Sequence, residues 1–173
     1  MRNDIVDKVK NIMDIVCRLS TELGNPITEK DYIIEDRGCP HQSSQLPKGK
    51  CAVYMFFHKD EALKIGKANE KSNARYSSQH YGFNARSTLA KSLVADKSKW
   101  ETEMNEENAS DWIKGNTHRI NILVDASCGD AVIELIEAVM HYAFNPRYEG
   151  ALHRKGRRKY IKMDRRGYII HNE

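Results

Sequence analysis

Cys51-Ala52-Val53-Tyr54-Met55-Phe56-Phe57, then His58-Lys59-Asp60-Glu61, then Ala62-Leu63-Lys64-Ile65-Gly66, decides how this chain folds. The first run is continuously apolar or aromatic and short, which predicts a buried strand. The polar tetrad suits a hairpin turn. Residues 62–66 predict the partner strand, ending at Gly66, where a side chain would obstruct the backbone. Tyr54 and Lys64, ten residues apart, give each strand one polar side chain capable of chemistry.

Upstream, Ile5, Val9, Ile12, Met13, Val16 and Leu19 recur at helical spacing and predict a helix over 3–22, ended by Gly24-Asn25-Pro26. Thr28-Glu29-Lys30-Asp31 reads as the start of a short second helix, and 36–50 as an exposed loop. Residues 1–49 are therefore expected to form a helical N-terminal extension before a core at 50–149. Downstream, helices are predicted over about 72–81 and 86–95. The charged stretch 97–115 has no assigned element, with Trp100 and Trp112 as expected anchors. His118 to Asp125 alternates, with Ile120, Ile122 and Val124 on one side, and predicts a half-buried strand. Ser127 to Asp130 supplies capping chemistry for a helix to about Phe144. Residues 150–173 are expected to form a basic, β-rich segment packed on the core. This order implies an α+β fold, a small central antiparallel or mixed sheet flanked by helices.

A chain of 173 residues fits one domain and buries an adequate core without disulfides or metal staples. Cys17, Cys39, Cys51 and Cys128 are scattered without the paired spacing of zinc sites, and Cys39-Pro40-His41 offers two ligands, too few for a site. They are expected to be free thiols in a reducing compartment. The N-terminus has no signal-peptide apolar region, and no run approaches the roughly 18 apolar residues of a membrane span. A soluble cytoplasmic protein with no membrane partner is expected. The net charge of +4 is unevenly distributed. Residues 147–166 hold nine Lys and Arg against two acids, while the remainder carries −3. A basic segment on an acidic body suits a polyanion such as nucleic acid, and its interleaved Tyr160, Ile161, Met163, Tyr168 and Ile169 favour a folded strand pair over a loose tail.

Arg75 follows Lys64 by eleven residues, and His80-Tyr81 follow closely. Glu137-Ala138 lies on the amphipathic helix, nine residues before Pro146 of Pro146-Arg147-Tyr148. On a 3.6-residue helix Glu137 stacks with Ile133 and His141 beside the Val132, Ile136, Val139, Met140 and Ala143 stripe, a border position from which a carboxylate faces a cleft. In this order and spacing, residues 50–149 resemble the GIY-YIG nuclease family, closest to the type II restriction endonuclease branch with Lys in place of the second motif tyrosine. Ala52 stands where the first motif has Gly.

The resemblance implies metal-dependent hydrolysis of phosphodiester bonds in double-stranded DNA. Tyr54 and Lys64 would generate the attacking water or hydroxyl. That role needs the Lys64 amine lowered from about 10.4 toward neutrality by burial and by neighbouring cations, Arg75 and Lys67 being the candidates. Arg75 would hold the phosphate with its fork of donors. The family's next His or Tyr lies four residues after that Arg, which here is Gln79; either the helix is irregular or His80 takes the role from one position further along, with Tyr76 a weaker candidate. Glu137 would hold Mg²⁺ or Mn²⁺, one carboxylate with several waters being typical of Mg²⁺. Glu134 competes by type but stands wrongly relative to Pro146, and Glu149 replaces the motif's final Asn. Lys67, Arg154, Lys155, Arg157, Arg158, Lys159, Arg165 and Arg166 would grip the DNA backbone. Restriction enzymes suggest a homodimer by analogy. Three alternatives stay open: a repair or mobile-element nuclease, a nuclease-derived module that binds DNA without cutting it, and an interaction protein with an acidic partner.

Overall fold

The computed structural model describes residues 2–96, 100, 103–148, 162–163 and 169–170. In chain order the elements are α1 (Arg2–Glu22), β1 (Tyr32–Gly38), β2 (Lys50–His58), β3 (Glu61–Ala68), α2 (Asn73–Ser77), a 3₁₀ turn (Gln79–Tyr81), α3 (Leu89–Ala95), α4 (Ala109–Asn116), β4 (His118–Asp125), a second 3₁₀ turn (Ala126–Cys128), α5 (Asp130–Phe144), β5 (Lys162–Met163) and β6 (Ile169–Ile170). The expected hairpin is present: β2 and β3 pair antiparallel around Lys59-Asp60, with Lys59 at φ 54° in the left-handed region that a tight turn demands. The main sheet has the order β1-β4-β2-β3 with antiparallel pairing throughout, so the protein is α+β with helices on both faces.

Alternation along β2 splits the interior into two cores. Cys51, Val53, Met55 and Phe57 point to α1 and α5, where Val9, Met13, Val16, Ile136 and Met140 bury their side chains. Ala52, Tyr54 and Phe56 point the other way, toward Tyr76, Tyr81, Leu89, Leu93 and Ile113. Fully burying one such aliphatic side chain contributes roughly 1.5–3 kcal/mol. Each layer of helices therefore has its own reason to dock.

Several expectations are corrected. Residues 28–31 form a turn rather than a helix start, with the Thr28 N–H and hydroxyl both donating to Asp31 Oδ2 (2.7 and 2.8 Å). The chain then enters β1, which pairs with β4 from Tyr32 opposite Val124 to Asp36 opposite Ile120. Residues 1–49 thus supply a sheet strand as well as a helix, and α1 shares a core with α5. β1 and β2 pair with the two edges of β4, which makes that strand interior, and the helical layers on the two sheet faces bury it on both sides rather than one. The helix expected over 72–81 is broken at Ser78 (φ −132°, ψ −31°). The helix expected over 86–95 starts at Leu89, where the Thr88 hydroxyl accepts from the Lys91 N–H at 3.1 Å. The stretch 97–115 contains most of α4, and Trp100 and Trp112 pack together with ring centroids 4.8 Å apart, His58 against both.

Helix α5 has the expected extent but begins at Gly129 (φ 85°) without a side-chain cap. It ends at Asn145 in the left-handed conformation, with Pro146 preventing continuation. The next two residues run along β3: the Arg147 and Tyr148 N–H groups donate to the Ala62 and Leu63 carbonyls, each at 2.8 Å. The Tyr148 hydroxyl donates to Asp96 Oδ2 at 2.7 Å, and Arg147 Nε donates to the same oxygen at 2.9 Å. The expected basic strand pair appears as β5 against β6, Lys162 opposite Ile170. Among the described residues, no helix is long and apolar enough to cross a membrane.

Candidate active site

Strand register sets a transverse row of Glu35, Asn121, Tyr54 and Gly66 across the four strands, with Arg119, Phe56 and Lys64 in the neighbouring row. Because side chains alternate, Tyr54, Lys64 and Gly66 share one face. Gly66 is needed for the tyrosine itself: a Cβ there would lie 2.5 Å from Tyr54 Oη. The obstruction expected at Gly66 thus comes from the phenol lying across it.

Two groups from the helical layer meet that phenol. Arg75 Nε donates to Tyr54 Oη at 3.3 Å, and His80 Nε2 lies 2.7 Å from the same oxygen. The break at Ser78 explains how His80 gets there. A continuous helix would bring Gln79 under Arg75, whereas the 3₁₀ turn rotates the next residue inward and leaves Gln79 partly exposed. Burial, helped by the Lys64 and Arg75 charges, pushes the His80 imidazole down to about 3, so the ring is neutral near pH 7. A neutral imidazole carries one N–H. Among the described residues the buried Nδ1 has no partner, so a proton there would be an orphan donor. The proton therefore sits on Nε2 and is donated to Tyr54. Oη then accepts from both Arg75 and His80, and its own hydrogen is free for a third partner. Burial raises the phenol above its ordinary value, while Arg75 opposes that rise.

Lys64 is buried (7 % exposed), and its Nζ donates to Ser87 Oγ at 3.0 Å. Its charge is felt at His80. Glu137 comes from α5, in the opposite helical layer, and lies close enough for its charge to act on the Tyr54 phenol. Its carboxylate is half-buried at the border of the apolar stripe, as the helical spacing implies. There it pairs with Lys67 Nζ at 2.9 Å, and the same ammonium reaches Glu134 at 3.4 Å. Lys67 sits on the sheet face opposite Tyr54, and the hydrogen bond to Glu137 raises its amine above the ordinary value. Tyr76 is a buried anchor: its hydroxyl donates to Glu35 Oε2 at 3.1 Å and accepts from Asn121 Nδ2 at 2.9 Å. The other predicted backbone-gripping residues, Arg154, Lys155, Arg157, Arg158, Lys159, Arg165 and Arg166, lie outside the described residues.

Among the described residues, no group of three or more His, Cys, Asp or Glu side chains could hold a metal. Glu137 would be the residue to hold Mg²⁺ or Mn²⁺, hard cations that need few protein carboxylates; in this structure its carboxylate is paired with the Lys67 ammonium at 2.9 Å.

Sequence reading missed Arg119 and Asn121. Both are fully buried beneath the site, although alternation with Ile120, Ile122 and Val124 assigns them to a solvent face. The signal was the second helical layer, whose Tyr76 and Tyr81 cover the face of β4 that alternation assigns to solvent. No protein-family model, curated protein or solved structure matches the chain.

Proposed function

We propose that this protein is a divalent-metal-dependent endonuclease that cleaves double-stranded DNA, acting as a sequence-specific, restriction-type enzyme. One observation carries the reading: Tyr54, Arg75, His80 and Lys64 converge on one face of the sheet at Gly66, with Glu137 within electrostatic range. Phosphodiester hydrolysis needs a group to take a proton from water, cations on the phosphoryl oxygens, and help for the leaving oxygen. Lys64, as the neutral amine, would meet the first need, with the Tyr54 hydroxyl donating to the attacking water or a phosphoryl oxygen and the proton passing on to solvent between turnovers. Arg75 meets the second, with the fork of a permanently charged guanidinium. His80 acts through Tyr54: its Nε2–H and Arg75 Nε–H hold the phenol oxygen so that its hydroxyl hydrogen faces the substrate. Glu137 would hold the metal, which when bound supplies charge at the leaving oxygen.

Tyr54 and Lys64 are buried, whereas Arg75 and Ser87, which touch them, are exposed. Phosphate would reach the site by displacing Ser87 from Lys64 Nζ, while Arg75 keeps its Nε on the phenol and offers the other nitrogens of its fork. The basic end supplies the long-range attraction, and two copies acting across a palindrome would cut both strands.

Incubation of mixed plasmid and phage DNA with Mg²⁺ or EDTA, beside Glu137→Ala and Lys64→Ala, tests this. Discrete metal-dependent fragments, lost in both variants with DNA affinity retained, support the proposal. A smear would replace restriction by nonspecific cleavage. DNA that is bound but intact under every condition overturns the enzymatic reading in favour of a binding module.

A further inference from the structure

We propose that Arg119 is a positioning residue of this site, one buried guanidinium that holds both segments bearing Arg75 and His80 over Tyr54. The proposal rests on the nuclease reading above. Arg119 is 0 % exposed, on the interior strand β4. Its Nη2 donates to the Tyr76 carbonyl at 2.8 Å, and its Nη1 donates to the Tyr81 hydroxyl at 2.8 Å. Its Nε donates to Asn121 Oδ1 at 3.1 Å. Tyr76 is the residue after Arg75, and Tyr81 is the residue after His80. Arg75 thus precedes a residue pinned through its carbonyl, and His80 one pinned through the hydroxyl at the end of its side chain, both to the same guanidinium.

The segment being held has little internal order and is fixed from outside, by burial of Tyr76 and Tyr81, by the Tyr76 bond to Glu35 and by Arg119. Helix α2 has five residues and the turn after it three, with Ser78 breaking the ladder between them. A helix that short is not stable by itself. Arg119 replaces the missing internal order with external bonds. Its planar guanidinium also lies over the Tyr76 ring, 4.6 Å from the centroid, which ties side chain as well as backbone. The far end of the network is anchored: Asn121 Nδ2 donates to Glu35 Oε2 at 2.7 Å, and His41 Nε2 lies 3.0 Å from the Tyr81 hydroxyl. Burying an arginine is costly unless its donors are satisfied, and here all three nitrogens are bonded.

Lysine lacks the fork and cannot reach both anchors, so Arg119→Lys should release one of the segments. Tyr81→Phe keeps the ring and removes only the hydroxyl that receives Nη1, and it is the variant to use if Arg119→Lys does not fold. The readouts are steady-state cleavage of plasmid DNA with Mg²⁺ and long-range ¹H–¹⁵N spectra of the histidine rings. Tyr81→Phe is expected to lower kcat about tenfold with KM unchanged, since misplacement of reacting groups by less than an ångström costs rate rather than binding. His80 should leave its single Nε2–H tautomer signature, and Arg119→Lys with Tyr81→Phe should be no worse than Arg119→Lys alone. Folded variants that keep both the wild-type kcat and the His80 signature overturn the proposal. If the wild-type protein cleaves no DNA, the nuclease reading fails separately. The ring spectra still decide: a moved His80 signature supports the clamp and an unmoved one refutes it.

Discussion

Gly66 is the residue where structure and chemistry are least separable. A methyl group there collides with the Oη, Cζ and Cε2 atoms of Tyr54 at 2.5–2.9 Å, so the ring must leave the place where Arg75 and His80 meet it. Gly66→Ala is expected to cost about 1–3 kcal/mol of stability, in line with overpacking elsewhere, and to abolish cleavage. Urea unfolding and a cleavage assay on one preparation check both; wild-type values in both would mean that the phenol moves freely. The buried histidines make a second prediction. Desolvation is the main cause holding His80 at about 3 and His41 at about 4, both below the ordinary histidine value. The unfolded chain therefore binds more protons than the native one between those values and about 6.5. Their contribution is present above pH 6.5 and is lost as pH falls. Each ring adds a slope of about 1.4 kcal/mol per pH unit within that window. Urea unfolding at pH 6.5, 6.0, 5.5 and 5.0 measures the sum, and a His41→Gln protein should show about half of it. A flat profile would place protons on the native rings.

At the scale of elements, the hairpin was readable from a continuous apolar run bounded by a polar turn, and α1, β4 and α5 because each repeats its apolar residues at one clean period. Strand β1 was not. Its Glu35-Asp36-Arg37 run looks like a loop, and the turn-forming Thr28 and Asp31 before it imitate a helix start. Tyr54, Arg75, His80 and Glu137 were visible through order and spacing, while Arg119 was hidden because charge on an alternating strand reads as solvent-facing. The strand that was missed has consequences: without 1–49, β4 becomes an edge and the apolar α5 surface under α1 is bared. A protein starting at residue 50 is expected to lose the dispersed amide spectrum and sharp unfolding of the full chain, whereas a cooperative fragment would show residues 1–49 to be dispensable. The tie between β3 and α5 makes a different prediction. The partly exposed Lys67–Glu137 pair contributes at most about 1 kcal/mol, so Lys67→Met should fold. Freed of its ammonium, Glu137 should bind Mn²⁺ more tightly by calorimetry; unchanged affinity would put the metal elsewhere.

For the whole molecule, charge is segregated: residues 147–166 are strongly basic and the rest is slightly acidic. Removing 150–173 is expected to weaken DNA binding and flatten its salt dependence by about 0.9 logarithmic units for each phosphate that is no longer neutralised. Fluorescence anisotropy from low to moderate salt measures that slope, and an unaltered slope would assign phosphate binding to the folded body. The two cores on opposite faces of the sheet have a further consequence. Most groups of the candidate site hang from the Tyr54 face, while α1 and much of α5 build the other. Apart from Glu137 and Lys67, the far face can therefore drift in sequence, or be redesigned for heat resistance, with little bearing on turnover. The near face has less latitude, since Tyr54 is at once a core side chain and a reacting group. A variant library should split along this plane, with tolerant positions under α1 and intolerant ones under α2.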